Sequence, residues 1–130
     1  MKKFRYAFSL VLIMVTLLFA TGCGSMSVDY DLVTCGDAVT YTTVTKMNDM
    51  PSNYRNKTFR IRGELKNRSS SYHYLMGYDS ANCCTWNLEV KATEGVSFPA
   101  KSKSVIVIGT YKATTQNGQS SWYLEVSEIK

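Results

Sequence analysis

Residues 58–65 read TFRIRGEL, and this stretch decides the fold. Phe59, Ile61, Gly63 and Leu65 alternate with Arg60, Arg62 and Glu64, the period-two pattern of a strand with one buried face. The later stretch 105–111, VIVIGTY, is apolar on both faces and suits a central or barrel-closing strand. Each stretch leads into a glycine, Gly63 and Gly109. Glycine inside a strand marks a bulge or a sharp bend, as at a barrel corner. A small barrel must bend its long first strand to pair it with both neighbours.

Between and after these stretches the pattern continues. SYHYLMGYD (71–79) reads as a second strand, with Tyr72, Tyr74, Met76 and Tyr78 on one face and His73, Leu75 and Gly77 on the other. Which of the two faces is buried stays open at this level. CCTWNLEVKA (83–92) reads as a third, carrying Cys84, Trp86, Leu88 and Val90 inward. Asn117-Gly118 predicts a hairpin turn, and Trp122, Leu124 and Val126 line the inner face of the strand that follows. Upstream, residues 32–50 predict a short helix with Asp37 as N-cap and Val39, Tyr41, Val44 and Met47 as its stripe, although β-branched VTYTTVT also favours a strand. The expected class is mainly all-β: a five-stranded, OB-fold-like antiparallel barrel with a short N-terminal helix or extra strand. An open sandwich with the same strand order is the alternative.

The N-terminus sets the compartment. Lys2, Lys3 and Arg5 precede an apolar run from Ala7 to Ala20 that falls short of the ~20 residues of a spanning helix. The chain then reads Ala20-Thr21-Gly22-Cys23, which resembles the lipobox of bacterial lipoproteins apart from alanine in place of the preferred leucine. The resemblance implies a signal peptide over 1–22, a lipidated Cys23 (a palmitate-type anchor), and a protein held on the extracytoplasmic face of a bacterial membrane. Buried acyl methylenes contribute ~0.8 kcal/mol each. Residues 23–31 read as a tether and 32–130 as one domain, since a mature chain of 108 residues supports one core. The formal charge of +5 falls to +2 without the leader's three cations. With no basic run, nucleic acid is not an expected partner.

From about Met47 onward the chain resembles a family of uncharacterised bacterial OB-fold-like lipoproteins and secreted domains. The residues that carry the likeness are MPSNYRNKTFRIRGEL (50–65), DSANCCTWNLEV (79–90) and VIVIGTY (105–111). Asp79, Cys83, Cys84 and Glu89 match the family's aspartate, adjacent cysteines and acidic residue, while Asn56 and Asn87 stand where the family carries glycine. The resemblance implies a fold and a location and supplies no reaction.

Three cysteines remain once Cys23 is assigned to lipid. A disulfide from Cys35 to Cys83 or Cys84 would close a loop near 50 residues, worth ~4 kcal/mol in the chain-entropy view. A bond between Cys83 and Cys84 themselves is strained, because their Cα atoms stand about 3.8 Å apart. Alternatively Cys83 and Cys84 join Asp79 and Glu89, with His73 or Cys35 as further candidates, around zinc or a softer ion. Strand alternation would point the two thiols to opposite faces, and only a bulge would bring them together. A fourth reading makes Cys84 a small core residue and leaves Cys83 near the surface.

Other chemistry is sparse. His73 has no base–orienter partner nearby in sequence, no Gly-x-Ser-x-Gly elbow occurs, and no phosphate loop is present. No catalytic residue is assigned, no cofactor is expected outside the zinc reading, and an enzyme is not expected. The aromatic face is the stronger lead. Tyr72, Tyr74 and Tyr78 with Arg60 and Arg62 would line the face that OB-folds use for ligands. Aromatics beside cations suit sugars, peptides or anionic polymers of the cell envelope. The expectation is a monomeric, non-enzymatic binding domain, with a metal-binding or thiol-redox protein centred on Cys83 and Cys84 as the alternative.

Overall fold

A computed structural model describes residues 27–130, so the leader, Cys23 and the first residues of the tether lie outside the described residues. The elements run in order β1 (Tyr30–Asp31), α1 (Asp37–Asp49), a 3-10 turn (Pro51–Tyr54), β2 (Thr58–Asn67), β3 (His73–Tyr78), β4 (Thr85–Ala92), β5 (Lys103–Gln116) and β6 (Gln119–Ile129). Strands β2 to β6 close on themselves in the order β2-β3-β4-β6-β5, with β5 pairing back to β2. This is an OB-fold-like barrel, and closure removes the sandwich alternative. It is mixed rather than antiparallel. The β5–β6 hairpin brings β6 back alongside β4 in the same direction, and that pair is parallel.

The inward alternation of β2 is as the sequence predicts: Phe59, Ile61 and Leu65 are fully buried and join Leu75, Leu88, Val90, Val107, Leu124 and Val126 in one core. One edge of β2 pairs along most of its length with β5. The other edge is shared, with β1 at Phe59 and Arg60 and β3 from Glu64 to Asn67. Residues 61–63 lie between those two pairings. The two residues of β1 belong to the stretch read as tether; parallel pairing to β2 makes them part of the sheet, with Tyr30 stacked on Phe59 at 4.8 Å.

Gly109 marks a bulge, as expected: Ile108 opposes Glu128 while Gly109 opposes Val126, so Ser127 is the extra residue. Asn117 and Gly118 both have positive φ, as a two-residue hairpin turn requires. Asn56 has φ 62, a region that asparagine tolerates better than most residues.

The N-terminal helix forms, with two corrections. Gly36, at φ 80, occupies the cap, and Asp37 is the first helical residue with its carboxylate at the positive end of the helix. The buried stripe is Thr40, Val44 and Met47, whereas Val39 is exposed. Residues at i, i+4 and i+7 share one helical face; Val39 falls beside that stripe. The helix packs across β3 and β4. Its last turn is tied to the barrel where the hydroxyl of buried Tyr111 donates to the Met47 carbonyl at 3.2 Å. Burial pushes the Tyr111 hydroxyl up to about 12.

The second strand buries Leu75 and turns His73 and Gly77 inward, leaving Tyr72 and Tyr78 exposed. The reason is Trp86, buried on β4 opposite Gly77. A Cβ at residue 77 would lie 2.5 Å from the indole ring, and one at residue 63 would lie 2.9 Å from it. The indole therefore rests on two backbones that only glycine leaves open. Gly77→Ala is expected to cost about 3 kcal/mol by overpacking, at the upper end of such changes. Urea denaturation checks this. Adding Trp86→Phe is expected to recover part of the loss, with a coupling of at least ~0.5 kcal/mol between the two sites.

Candidate functional site

The β3–β4 connection, residues 79–84, is built around one side chain. The Asp79 Oδ1 accepts the backbone N–H groups of Cys83 at 3.0 Å and Cys84 at 3.3 Å. The backbone closes the same turn, with Asp79 N–H donating to Cys84 O at 2.9 Å and Asn82 N–H to Asp79 O at 3.1 Å. Asn82 sits at φ 56, and the aspartate does what that residue type does well in turns, satisfying backbone donors locally.

This turn corrects the third-strand reading. β4 begins at Thr85, so Cys83 and Cys84 precede it, and both are exposed. Cys84 is not a core residue. Strand alternation does not apply within a turn, and the two Sγ atoms lie 3.4 Å apart on one side. The Cys83 thiol also donates to Asp79 Oδ2 at 3.2 Å. The ligating atoms of Asp79, Cys83 and Cys84 all lie within 4.8 Å of one another. Glu89, the fourth residue of the sequence-based set, lies further along β4, opposite Tyr74 and 3.9 Å from Lys91 Nζ.

Cys35, Cys83 and Cys84 are free thiols in this structure. The Cys35 thiol donates to the Asp31 carbonyl at 3.2 Å. His73 stands at the other end of β3, where its Nδ1 lies 2.7 Å from Asn67 Oδ1 and its ring meets Phe98 edge-on. It braces the 93–102 link.

The electrostatics of the turn oppose a free thiolate. The hydrogen bonds that Cys83 makes with Cys84 and Asp79, and the negative charge beside it, push the Cys83 thiol up to about 11. The same Cys83 hydrogen bond, helped by the backbone N–H groups, holds the Asp79 carboxyl below the usual carboxylate range. A lowered carboxyl contributes order to the turn above the ordinary carboxylate range, and that contribution is lost as pH falls through the lowered value.

Beside the turn lies a cavity of roughly 370 Å³. It occupies the place where residues 61–63 lie between the β1 and β3 pairings of β2. One wall is the segment from Leu32 to Thr40, the other is Arg62 and Glu64 of β2 with Met76 and Tyr78 of β3, and Trp86 reaches in between. Asn82 of the cysteine turn is also part of the lining. Of the five residues proposed for the ligand face, only Arg62 and Tyr78 line the cavity. Arg60 is held by Asp31 at 3.1 Å. Tyr72 and Tyr74 pair with each other, ring centroids 6.1 Å apart. Sequence reasoning missed the contribution of Asp37 and Thr40, because nothing in a local pattern shows which strand gap a helix start will cover.

No family model matches the chain, and no curated protein of similar sequence is found. Among the described residues no helix is long and apolar enough to cross a membrane.

The raised Cys83 thiol has a kinetic consequence. Its thiolate fraction at neutral pH falls on the order of a hundredfold below an ordinary cysteine, while the greater basicity restores about tenfold in nucleophilicity. Alkylation by iodoacetamide, followed by peptide mapping, is expected to label Cys83 about tenfold more slowly in the folded chain than in urea.

Proposed function

We propose that this protein is a lipid-anchored, extracytoplasmic, non-enzymatic binding domain that holds a polar envelope ligand in the Arg62–Tyr78 cavity. The observation that carries this reading is the composition of the cavity. It combines an aromatic wall from Trp86 and Tyr78, a cation at Arg62, and anions at Glu64 and Asp37. Such a lining suits a ligand with an apolar face and hydrogen-bonding groups of both kinds, a sugar or short peptide segment, over a uniformly charged polymer. The lipid anchor is supported by the basic and apolar leader ahead of Cys23.

Two experiments test it. Soluble disaccharide–peptide fragments of a bacterial cell wall, titrated into isotope-labelled protein, are expected to shift amide signals of residues 62–64 and 76–78 and the Trp86 indole N–H. Arg62→Ala and Tyr78→Ala should each weaken binding about tenfold, equivalent to ~1.4 kcal/mol. Signals that stay still, or shifts spread over the barrel, would rule the cavity out for this ligand class. For the anchor, Cys23→Ala is expected to move the protein from the membrane to the soluble fraction; a variant that still sediments with membranes overturns it.

A further inference from the structure

We propose that the 79–84 turn is a three-ligand site for a thiophilic divalent cation of the zinc class, bound by Asp79 Oδ2, Cys83 Sγ and Cys84 Sγ with its fourth position open. This goes beyond the cavity reading and does not rest on it.

The argument is geometric. Tetrahedral zinc with Zn–S bonds of about 2.3 Å separates two thiolate sulfurs by about 3.8 Å, and a carboxylate oxygen from a sulfur by about 3.5 Å. The turn already places the sulfurs 3.4 Å apart and Asp79 Oδ2 3.2 Å from Cys83 Sγ. The Asp79–Cys84 pair lies within 4.8 Å, and rotations of the two exposed cysteine side chains adjust these separations. A two-coordinate, linear ion with bonds of that length would need the sulfurs about 4.6 Å apart, a larger displacement for adjacent residues in a closed turn.

The carboxylate is also oriented for the role. Its Oδ1 is held by the N–H groups of Cys83 and Cys84, which leaves Oδ2 to the Cys83 thiol. An outer hydrogen-bond set that fixes a ligating carboxylate is a regular feature of protein metal sites. The same backbone bonds set the positions of both cysteines, so one aspartate arranges all three ligands. On binding, the ion displaces the two thiol protons to water, and two thiolates with one carboxylate leave the occupied site singly negative. Among the described residues no further histidine, cysteine or acid joins the group, so the fourth position is left to water or an incoming ligand. Three protein ligands and one exchangeable position are the arrangement of an accessible zinc site rather than a closed structural one.

The test uses the full chain in detergent with a phosphine reductant, titrated with Cd2+ and Co2+ as spectroscopic probes and Zn2+ as competitor. The expected result is one equivalent of thiolate-to-metal charge transfer, a tetrahedral Co2+ spectrum, and displacement by Zn2+. Cys83→Ser and Cys84→Ser should each weaken binding on the order of a hundredfold or more, beyond what outer-shell changes cost. Asp79→Asn keeps the Oδ1 acceptor and should weaken it at least tenfold. Cys35→Ser, Glu89→Gln and Arg62→Ala should leave affinity unchanged, the last separating this site from the cavity. Both cysteines are exposed, so their variants retain the barrel, and amide spectra check that they do. The proposal is overturned by absence of the charge-transfer band, by affinity indifferent to Cys83 and Cys84, by equal loss in Cys35→Ser or Glu89→Gln, or by binding of Cu+ alone.

Discussion

The indole of Trp86 lies against the backbones of Gly63 and Gly77, and much of the cavity end of the barrel depends on that contact. A tryptophan of this size, buried to 4 % exposure, can sit there only because two strands omit their side chains beneath it. Once it occupies that space, Leu75 has to take the next inward position on β3, and the alternate set of Tyr74, Met76 and Tyr78 lies on the other face. The contact also stands beside the place where β2 changes partner. A long strand shared between β1 and β3 on one edge leaves a short interval, and the cavity forms there, between a strand gap and the start of a helix.

The turn that follows β3 has a separate logic. Asp79 spends one carboxylate oxygen on backbone groups and offers the other to a thiol. The result places three groups that carry or acquire negative charge within a few ångströms, at the surface. Without a cation that arrangement raises the Cys83 thiol, which disfavours a thiol that attacks or exchanges. A cation inverts the same electrostatics, because a coordinated thiol loses its proton outright. The cavity and the turn share Asn82 as a common border, yet they present different groups, the one an aromatic and charged lining and the other two thiols and a carboxylate.

Legibility followed the range of the interactions involved. The inward set of β2, the bulge at Gly109 and the Asn117-Gly118 hairpin were all readable, since each expresses a local backbone or side-chain preference. The facing of β3 was not, because both of its alternating sets contain bulky or apolar residues, and the choice between them rests on a tryptophan in the next strand. Cys84 was placed inward by extending β4's alternation one step too far; the Asp79 turn ends the strand pattern at Thr85. β1 was read as tether because two residues carry no periodicity, and only the exposed edge of β2 gives them a role. Of the five residues named for a ligand face, the cavity is lined by Arg62 and Tyr78, while Asp31 pairs with Arg60 and Tyr72 and Tyr74 pair with each other.

By itself the sequence determined the class of fold, since period-two burial, interior glycines and turn chemistry are properties of short stretches that hold wherever the stretch is packed. It also placed an aspartate and two adjacent cysteines within one short segment between strands. Only the tertiary structure decided that these three side chains converge and that Glu89 does not. Convergence depends on the turn's hydrogen bonds and on where β4 begins, neither of which is written in residue spacing. The cavity was likewise a tertiary decision, because a gap between strands exists only after the barrel has closed.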